Sequence, residues 1–478
     1  MNYLMILNAI GTLLQFEGLF LIPPIITGFV YRDKETLCFI LVAIGSSLLG
    51  TLIKLIKIKN RKLHAKEGFV ITALAWIIMS IVGALPFVFT GAIPSFTDAY
   101  FEVASGFTTT GASILTNVEA LSHSLLLWRS FTHWLGGMGV LVFIMAVVPS
   151  SADEMHIMKA ESPGPSVDKL VPKVRQTALI QYALYFGLTI VQFILLAIAR
   201  MPIFDAICLT FGTAGTGGFG VKGDSIASYS NTCQVIITVF MFLFGVNFKF
   251  YYLFVIKKIK DALKSEEVRW YLIIYTTAVI FVVFGIIGEI GSLATSLRLA
   301  SFQVASVMTT TGYATIDFNN WATFPKTVMV MIMFVGACAG STGGGMKVSR
   351  WILYFKQVIR GMQQFIHPRS VKNIRLEGKV VDDETLKTTN VYFMAYAFVF
   401  IFSLIIISLD GFDFTTSFTA IAATINNIGP GLNVVGPAGN FAGFSDLSKW
   451  VMSFDMIAGR LEMFPMLILL APSTWKKS

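Results

Sequence analysis

Apolar residues fill long blocks of this chain, and polar residues are confined to short stretches between them. A helix that crosses a membrane needs about 20 mostly apolar residues. Ten runs reach that length, at roughly 5–30, 37–56, 68–92, 124–149, 175–201, 232–256, 270–290, 326–346, 388–409 and 447–472. The basic residues then alternate between loops. Lys54, Lys57, Lys59, Arg61, Lys62 and Lys66 follow the second run, and Lys257, Lys258, Lys260, Lys264 and Arg269 follow the sixth. Lys347, Arg350, Lys356, Arg360, Arg369, Lys372 and Arg375 follow the eighth, and Lys476 and Lys477 close the chain. The loops between are poor in Lys and Arg. Basic loops stay on the cytoplasmic side, so both termini are expected there. The apolar N-terminus has no small-residue cleavage site after a short core and reads as a retained helix.

The outer connections carry a second pattern. Four of them hold an apolar segment too short to span, followed by a Gly-rich stretch: Phe101 to Phe107, Ile207 to Thr213, Phe302 to Met308 and Phe418 to Thr424. A segment that enters and returns must be enclosed by protein or line a wet cavity, because lipid cannot satisfy its bare backbone end. Each is flanked by two spanning runs. The predicted fold is therefore an all-α membrane protein with ten transmembrane helices. Four same-orientation helix–pore-loop–helix repeats surround one pore, and the first two runs form an extra N-terminal hairpin. The expected divisions are 1–60 for the hairpin and 61–155, 156–262, 263–375 and 376–478 for the repeats.

The repeats are visible in the letters. Phe101-Glu-Val-Ala-Ser-Gly-Phe-Thr-Thr-Thr-Gly111 matches Phe302-Gln-Val-Ala-Ser-Val-Met-Thr-Thr-Thr-Gly312 almost position for position. The second repeat reads Thr213-Ala-Gly-Thr-Gly-Gly218 and the fourth Thr424-Ile-Asn-Asn-Ile-Gly-Pro-Gly431, which aligns Gly111, Gly217, Gly312 and Gly429. That recurrence, at about 100 residues, is too long for a solenoid. It suits parallel repeats about an axis along the membrane normal.

Such a pattern has a chemical use. A cation leaving water loses its oxygen shell, and rings of backbone carbonyls can replace it. Aiming successive carbonyls inward requires dihedrals that Gly adopts without a Cβ clash. Neighbouring Thr adds hydroxyl acceptors, and each short helix points the negative end of its dipole at the ion path. No acidic side chain lies between Thr108 and Ala112 or between Thr309 and Tyr313. Gly-Thr clusters also allow close helix packing, but four clusters, each after a short apolar segment on the outer side, favour a pore.

Composition narrows the classes further. The chain is 55% hydrophobic and 13% charged, with a mean hydropathy of +0.73, too apolar for a soluble protein of this size. Its net charge of +9 is accounted for by the basic loops, with no aromatic-and-basic stripe for nucleic acid. Cys38, Cys208, Cys233 and Cys338 show no metal-site or disulfide spacing. His64, His123, His133, His156 and His367 are scattered, which argues against an enzyme.

Two further features lie below the expected filter. Gly340-Ser341-Thr342-Gly343-Gly344-Gly345-Met346-Lys347, in the later half of the eighth run, should break the helix there. It reads as a flexible loop that obstructs the pore, in preference to a simple kink. It is not a phosphate loop, because Gly-Met-Lys-Val stands where Gly-Lys-Ser/Thr is needed. Arg460 lies near the middle of the tenth run with Asp455 and Glu462 nearby. An intramembrane Arg is costly, and two readings stay open: a positive charge that slows or gates cations, or a structural ion pair. Lys249 is expected to snorkel and His133 to be packed or adjacent to the pore. Arg129 and Glu289 are expected to pair or reach the interface. The polar segment 361–387 is either a docking site for a soluble partner or a solvated loop.

The four-repeat layout, Thr-Thr-Thr-Gly at 108–111 and 309–312, and the stretch 340–347 resemble the Trk/Ktr/HKT superfamily of potassium transporters. The extra N-terminal pair and Gly459-Arg460-Leu461-Glu462 resemble its bacterial TrkH branch. The resemblance covers essentially the whole chain. It implies a homodimer in the bacterial inner membrane with one pore per protomer and K⁺ as the transported ion, without a bound cofactor. It implies a K⁺ filter at Thr109, Thr110 and Gly111; Gly215, Thr216 and Gly217; Thr310, Thr311 and Gly312; and Asn427, Ile428 and Gly429. Gly111 favours potassium, because sodium-conducting plant relatives carry Ser there. The resemblance assigns the gate to Gly340–Lys347 and a barrier role to Arg460. It adds a TrkA-like cytoplasmic ring that binds nucleotides and regulates opening. The second and fourth filters depart from the Thr-rich pattern, so fourfold geometry is expected to be approximate. A Na⁺-conducting or Na⁺/H⁺-coupled carrier on the same scaffold is the alternative.

Overall fold

The structure, a computed structural model, describes residues 1–56, 65–139, 174–369 and 372–476. The basic residues Lys57 to Lys62, the end of the fourth run and His156 lie outside the described residues. Almost all regular structure is helical. Among the described residues the exception is a two-stranded hairpin, Arg375–Leu376 with Lys379–Val380, turned by Glu377 and Gly378, both at positive φ.

Among the described residues, six helical spans are long and apolar enough to cross a membrane: Tyr3–Tyr31, Thr36–Lys54, Lys66–Phe89, Arg175–Ile198, Glu266–Ile290 and Asp383–Asp410. They coincide with the first, second, third, fifth, seventh and ninth apolar runs. A break was expected in the eighth run alone, at 340–347; among the described residues the sixth and tenth runs are broken as well. The sixth is Asn231–Phe244 and Phe248–Val255, bent by 92° at Gly245 to Asn247. The eighth stops as a helix at Met333 and resumes only as Val348–Ile366. The tenth divides into Asp446–Arg460 and Phe464–Leu470, with Glu462 and Met463 at positive φ between them. The described part of the fourth, His123–Gly137, ends just before Gly139, also at positive φ. Hydropathy registers only composition. It cannot distinguish a straight span from one interrupted by a few residues that remain buried among other helices.

The helix Val348–Ile366 occupies sequence expected to be a basic loop. Its apolar residues recur on one face, with Phe355, Val358, Met362 and Phe365 exposed. The N-terminal hairpin behaves as expected for helices packed in lipid. Gly11 and Gly50 cross so closely that a Cβ on Gly11 would reach the Gly50 carbonyl oxygen at 3.0 Å. Gln15 joins them by accepting from Lys54 and donating to Thr51, each at 3.0 Å.

Four shorter helices, Phe96–Phe107, Ile203–Gly215, Leu293–Met308 and Phe414–Ile425, contain the short apolar segments singled out in the sequence. Ser95, Ser292 and Asp413 cap three of them by accepting from the backbone N–H three residues on. Their C-terminal halves are buried apart from the partly exposed Phe211 and Ser301, with Phe101, Phe107, Phe302 and Met308 fully enclosed.

Candidate functional site

Just past its end, each short helix turns in the same way. Thr109, Thr216, Thr310 and Asn427 take φ of 56°, 56°, 61° and 56°. Two residues later Gly111, Gly218, Gly312 and Gly429 take 80°, 84°, 87° and 94°. The residue between returns its N–H to the helix five positions back: Thr110 to Ser105 O at 2.8 Å, Gly217 to Gly212 O at 2.7 Å, Thr311 to Ser306 O at 2.8 Å and Ile428 to Ala423 O at 2.8 Å. This is the Schellman arrangement, which usually places Gly in the left-handed position. Here Thr and Asn hold it, at a cost of about 1–2 kcal/mol each. Four such residues in one conformation mean the surroundings impose it.

This repetition corrects one alignment. Gly218, not Gly217, matches Gly111, and the second strand is Thr216–Gly218; Gly215 still belongs to its helix. With two consecutive glycines, the letters did not say which one takes positive φ.

The four strands also touch in order. A Cβ on Gly111 would collide with the Gly217 carbonyl oxygen, one on Gly218 with that of Thr311, and one on Gly312 with that of Ile428. One on Gly429 would come within 2.7 Å of the Thr110 oxygen. First meets second, second third, third fourth, and fourth first, so the strands form a closed ring. At every contact only glycine fits, for its φ and for its missing Cβ. Thr108 and Thr110 share a hydroxyl hydrogen bond of 2.8 Å, and Thr309 and Thr311 one of 2.7 Å. Asn427 joins the last strand to the first by donating to Thr110 Oγ1 at 3.0 Å. Among the described residues, no group of three or more His, Cys, Asp or Glu is placed to hold a metal ion. The ring offers backbone and hydroxyl oxygens instead.

The chain beyond the strands is braced by side chains of the short helices. Glu102 accepts from Ser113 Oγ at 3.0 Å and from Ile114 N–H at 2.9 Å, fixing the chain beyond the first strand. Gln303, its counterpart in the third, donates to Ile316 O at 3.0 Å, and Thr419 accepts from Leu432 N–H at 2.9 Å in the fourth. Arg129 pairs with Glu102 at 2.5 Å, donates to Gly220 O at 3.0 Å, and lies 3.6 Å from the Phe219 ring centre. It is buried in this network, while Glu289 is exposed.

The loop 340–347 lies directly against the ring. Gly344 N–H donates to Thr310 Oγ1 at 2.7 Å. A Cβ on Gly343 would be 2.9 Å from Thr309 O, and one on Gly344 2.8 Å from Asn426 O. Lys347 folds back to donate to Gly343 O. The loop is anchored at both ends by buried Glu267, whose Oε1 accepts from Ala339 N–H at 2.8 Å and Ser349 N–H at 3.1 Å. Arg350 then links Met346 O, at 3.1 Å, to the Glu462 carboxylate.

Arg460 completes this layer. Its guanidinium donates to Thr342 O at 2.8 Å, Gly136 O at 2.7 Å and Gly137 O at 2.6 Å, and reaches Thr109 Oγ1 at 3.3 Å. Of the two carboxylates nearby in sequence, Glu462 bonds Arg350 and Asp455 accepts from Ser403 at 2.8 Å. Arg460 thus joins the first strand, the end of the helix His123–Gly137 and the loop.

Sequence reasoning missed Glu267, Glu102 and the pairing of Arg350 with Glu462. Glu102 was within reach, since it stands opposite Gln303 in the aligned repeats. Glu267 sits at the start of an apolar run and reads as an ordinary first-turn acid. The segment 361–387 is partly absorbed into the protein: Glu377 accepts from Ser265 Oγ at 2.9 Å and Glu267 N–H at 3.0 Å.

The TrkH family of cation transport proteins matches residues 38–477. The chain is 35% identical to the Trk system potassium uptake protein TrkH of Salmonella typhimurium, over the full length of both. It is 32% identical to the Trk system potassium uptake protein TrkG of Escherichia coli, over 98% of this chain and 97% of that one. Its fold is similar to the crystal structure of the potassium transporter TrkH from Vibrio parahaemolyticus, with a TM-score of 0.90, 31% identity and complete coverage of both chains. These relatives are transport proteins, not enzymes. On this footing the chain belongs to the TrkH family of multi-pass membrane cation transport proteins.

Proposed function

We propose that the chain is the potassium-conducting membrane subunit of an uptake system. The ions pass through the ring formed by 109–111, 216–218, 310–312 and 427–429. The observation that carries this reading is the closed, in-order contact of four identically turned strands. Their carbonyl oxygens can replace the hydration shell of an alkali cation, and their shared conformation fixes the ring's size. The negative ends of the four short helices favour a cation there. The names of the potassium uptake relatives support K⁺ as the ion.

In the same reading the loop 340–347 is the gate, since it packs against the third and fourth strands. Arg460 places a guanidinium beside the first strand and the gate and acts as a barrier to cations from the inner side. Residues 1–60 form the added hairpin, and four units from 61 to 478 supply one strand each. The protein works as a homodimer in the bacterial inner membrane, with both termini cytoplasmic and a nucleotide-binding cytoplasmic ring as its regulator.

The test is ion flux into liposomes holding the purified chain. Uptake of ⁸⁶Rb⁺ should be suppressed by external K⁺ far more strongly than by equal Na⁺. Equal suppression by both would overturn the assignment of potassium.

A further inference from the structure

One of the four ring strands lacks a side chain where the others have one. Between the left-handed residue and the positive-φ glycine stand Thr110, Thr311 and Ile428, but Gly217 in the second strand. Gly217 is not at positive φ, so its backbone conformation does not require glycine. Its surroundings do. A Cβ there would collide with the His133 imidazole at Cγ, Nδ1 and Cδ2, and one on Gly215 would strike the His133 carbonyl.

His133 belongs to the helix His123–Gly137 and is fully buried. Its Nδ1 is 2.8 Å from Gly106 O, and its Nε2 is 3.2 Å from Phe219 N. A carbonyl can only accept and a backbone N–H can only donate. The ring is therefore neutral, with its proton on Nδ1, giving to Gly106 and receiving from Phe219. The imidazole bridges the end of the first short helix to the residue directly after Gly218.

We infer that His133 is a specificity-determining positioning residue: its imidazole takes the place of the side chain missing at Gly217 and holds the second strand at its distance from the ring. This rests on reading the ring as the ion filter. The Gly217 carbonyl oxygen abuts Gly111, so retreat of the second strand opens the ring between its first two members. A ring opened on one side discriminates less between cations of different size.

The experiment measures the ratio of ⁸⁶Rb⁺ to ²²Na⁺ uptake in liposomes holding the purified full chain. His133→Ala should lower the ratio by at least about fivefold, as expected when a strand loses an anchoring hydrogen bond and its packing. His133→Gln should restore most of it, because an amide can donate to Gly106 and accept from Phe219. Gly217→Ala should also lower the ratio. His133→Ala combined with Gly217→Ala should recover above either single variant, because the new methyl occupies space the imidazole left. An unchanged ratio in His133→Ala, or losses that merely add in the double variant, would overturn the inference. If His133→Ala does not fold, Gly217→Ala decides: a lowered ratio supports the role and an unchanged one overturns it. A parent chain that fails to discriminate would sink the filter reading itself, whereas a discriminating parent with an indifferent His133→Ala sinks only the role of His133.

Discussion

The carbonyl oxygen of Thr110 stands 2.7 Å from the point a Cβ on Gly429 would occupy. These residues are separated by most of the chain, yet their contact closes a ring that three similar contacts build in sequence order. The last strand meets the first through the same kind of contact, glycine against carbonyl, though less closely than at the other three. A set of strands that only packed helices together would have no reason to close.

Gly111 shows what that closure demands. It holds φ at 80°, and any Cβ would strike the Gly217 oxygen. Gly111→Ser must shift one strand or the other, and we expect several-fold weaker discrimination of K⁺ over Na⁺, on the order of 1–2 kcal/mol. Relative uptake of ⁸⁶Rb⁺ and ²²Na⁺ in liposomes checks this; an unchanged ratio would contradict it.

The gate is expected to separate from the filter in function. Deleting Gly343 to Gly345 removes the residues nearest Thr309 O and Asn426 O but none of the ring strands. Open probability in bilayer recordings should change more than the reversal potential measured in mixed K⁺ and Na⁺. The opposite pattern would mean that the loop belongs to the filter.

Glu267 tests how the loop is held. Glu267→Ala leaves the N–H groups of Ala339 and Ser349 without their carboxylate, at about 1–3 kcal/mol for each unsatisfied donor. Glu267→Gln keeps an acceptor oxygen and should lose far less. Single-channel recording should show the Ala variant open more often and the Gln variant close to the parent. Equal behaviour of the two would refute the anchor.

Much of this was legible in the letters, and the limits have physical causes. Thr-Thr-Thr-Gly at 108–111 and 309–312 located two strands because both obey one pattern of side chains. The second strand was displaced by one residue because its pattern is conformational: Thr216 and Gly218 repeat dihedrals, while Gly217 repeats no side chain. The break at Gly245–Asn247 was hidden because apolar residues flank it, and the one at Leu461–Met463 because Arg460 and Glu462 were read as charges within one span. Of the long break at 334–347, the part at 340–347 was visible because three successive glycines destabilise a helix more than apolar flanks can disguise. Arg460 stood out by its charge, but its partners come from three distant segments, at Thr109, Gly136–Gly137 and Thr342, that no local reading joins.

The brace of Glu102 and Arg129 predicts stability rather than conduction. Glu102→Ala strands the buried Arg129 guanidinium and releases Ser113 and Ile114, so a loss of about 3–5 kcal/mol is expected. Thermal unfolding of the detergent-solubilised protein should show a clear fall in midpoint. A midpoint equal to the parent's would mean that the pair contributes nothing net.

Arg460 separates its two readings by substitution. Arg460→Gln removes the charge but retains a donor for some of the Gly136, Gly137 and Thr342 carbonyls. A barrier predicts faster ⁸⁶Rb⁺ uptake, by roughly tenfold if about 1.4 kcal/mol of repulsion is removed. A purely structural role predicts slower uptake together with a lower unfolding midpoint.

The most direct measurement is anomalous X-ray scattering from crystals of this protein grown with Rb⁺ in place of K⁺. The account predicts a peak enclosed by Thr110, Gly217, Thr311 and Ile428, within coordination distance of backbone oxygens from all four strands. Ordered strands with no peak between them, or a peak bound to only one strand, would contradict it.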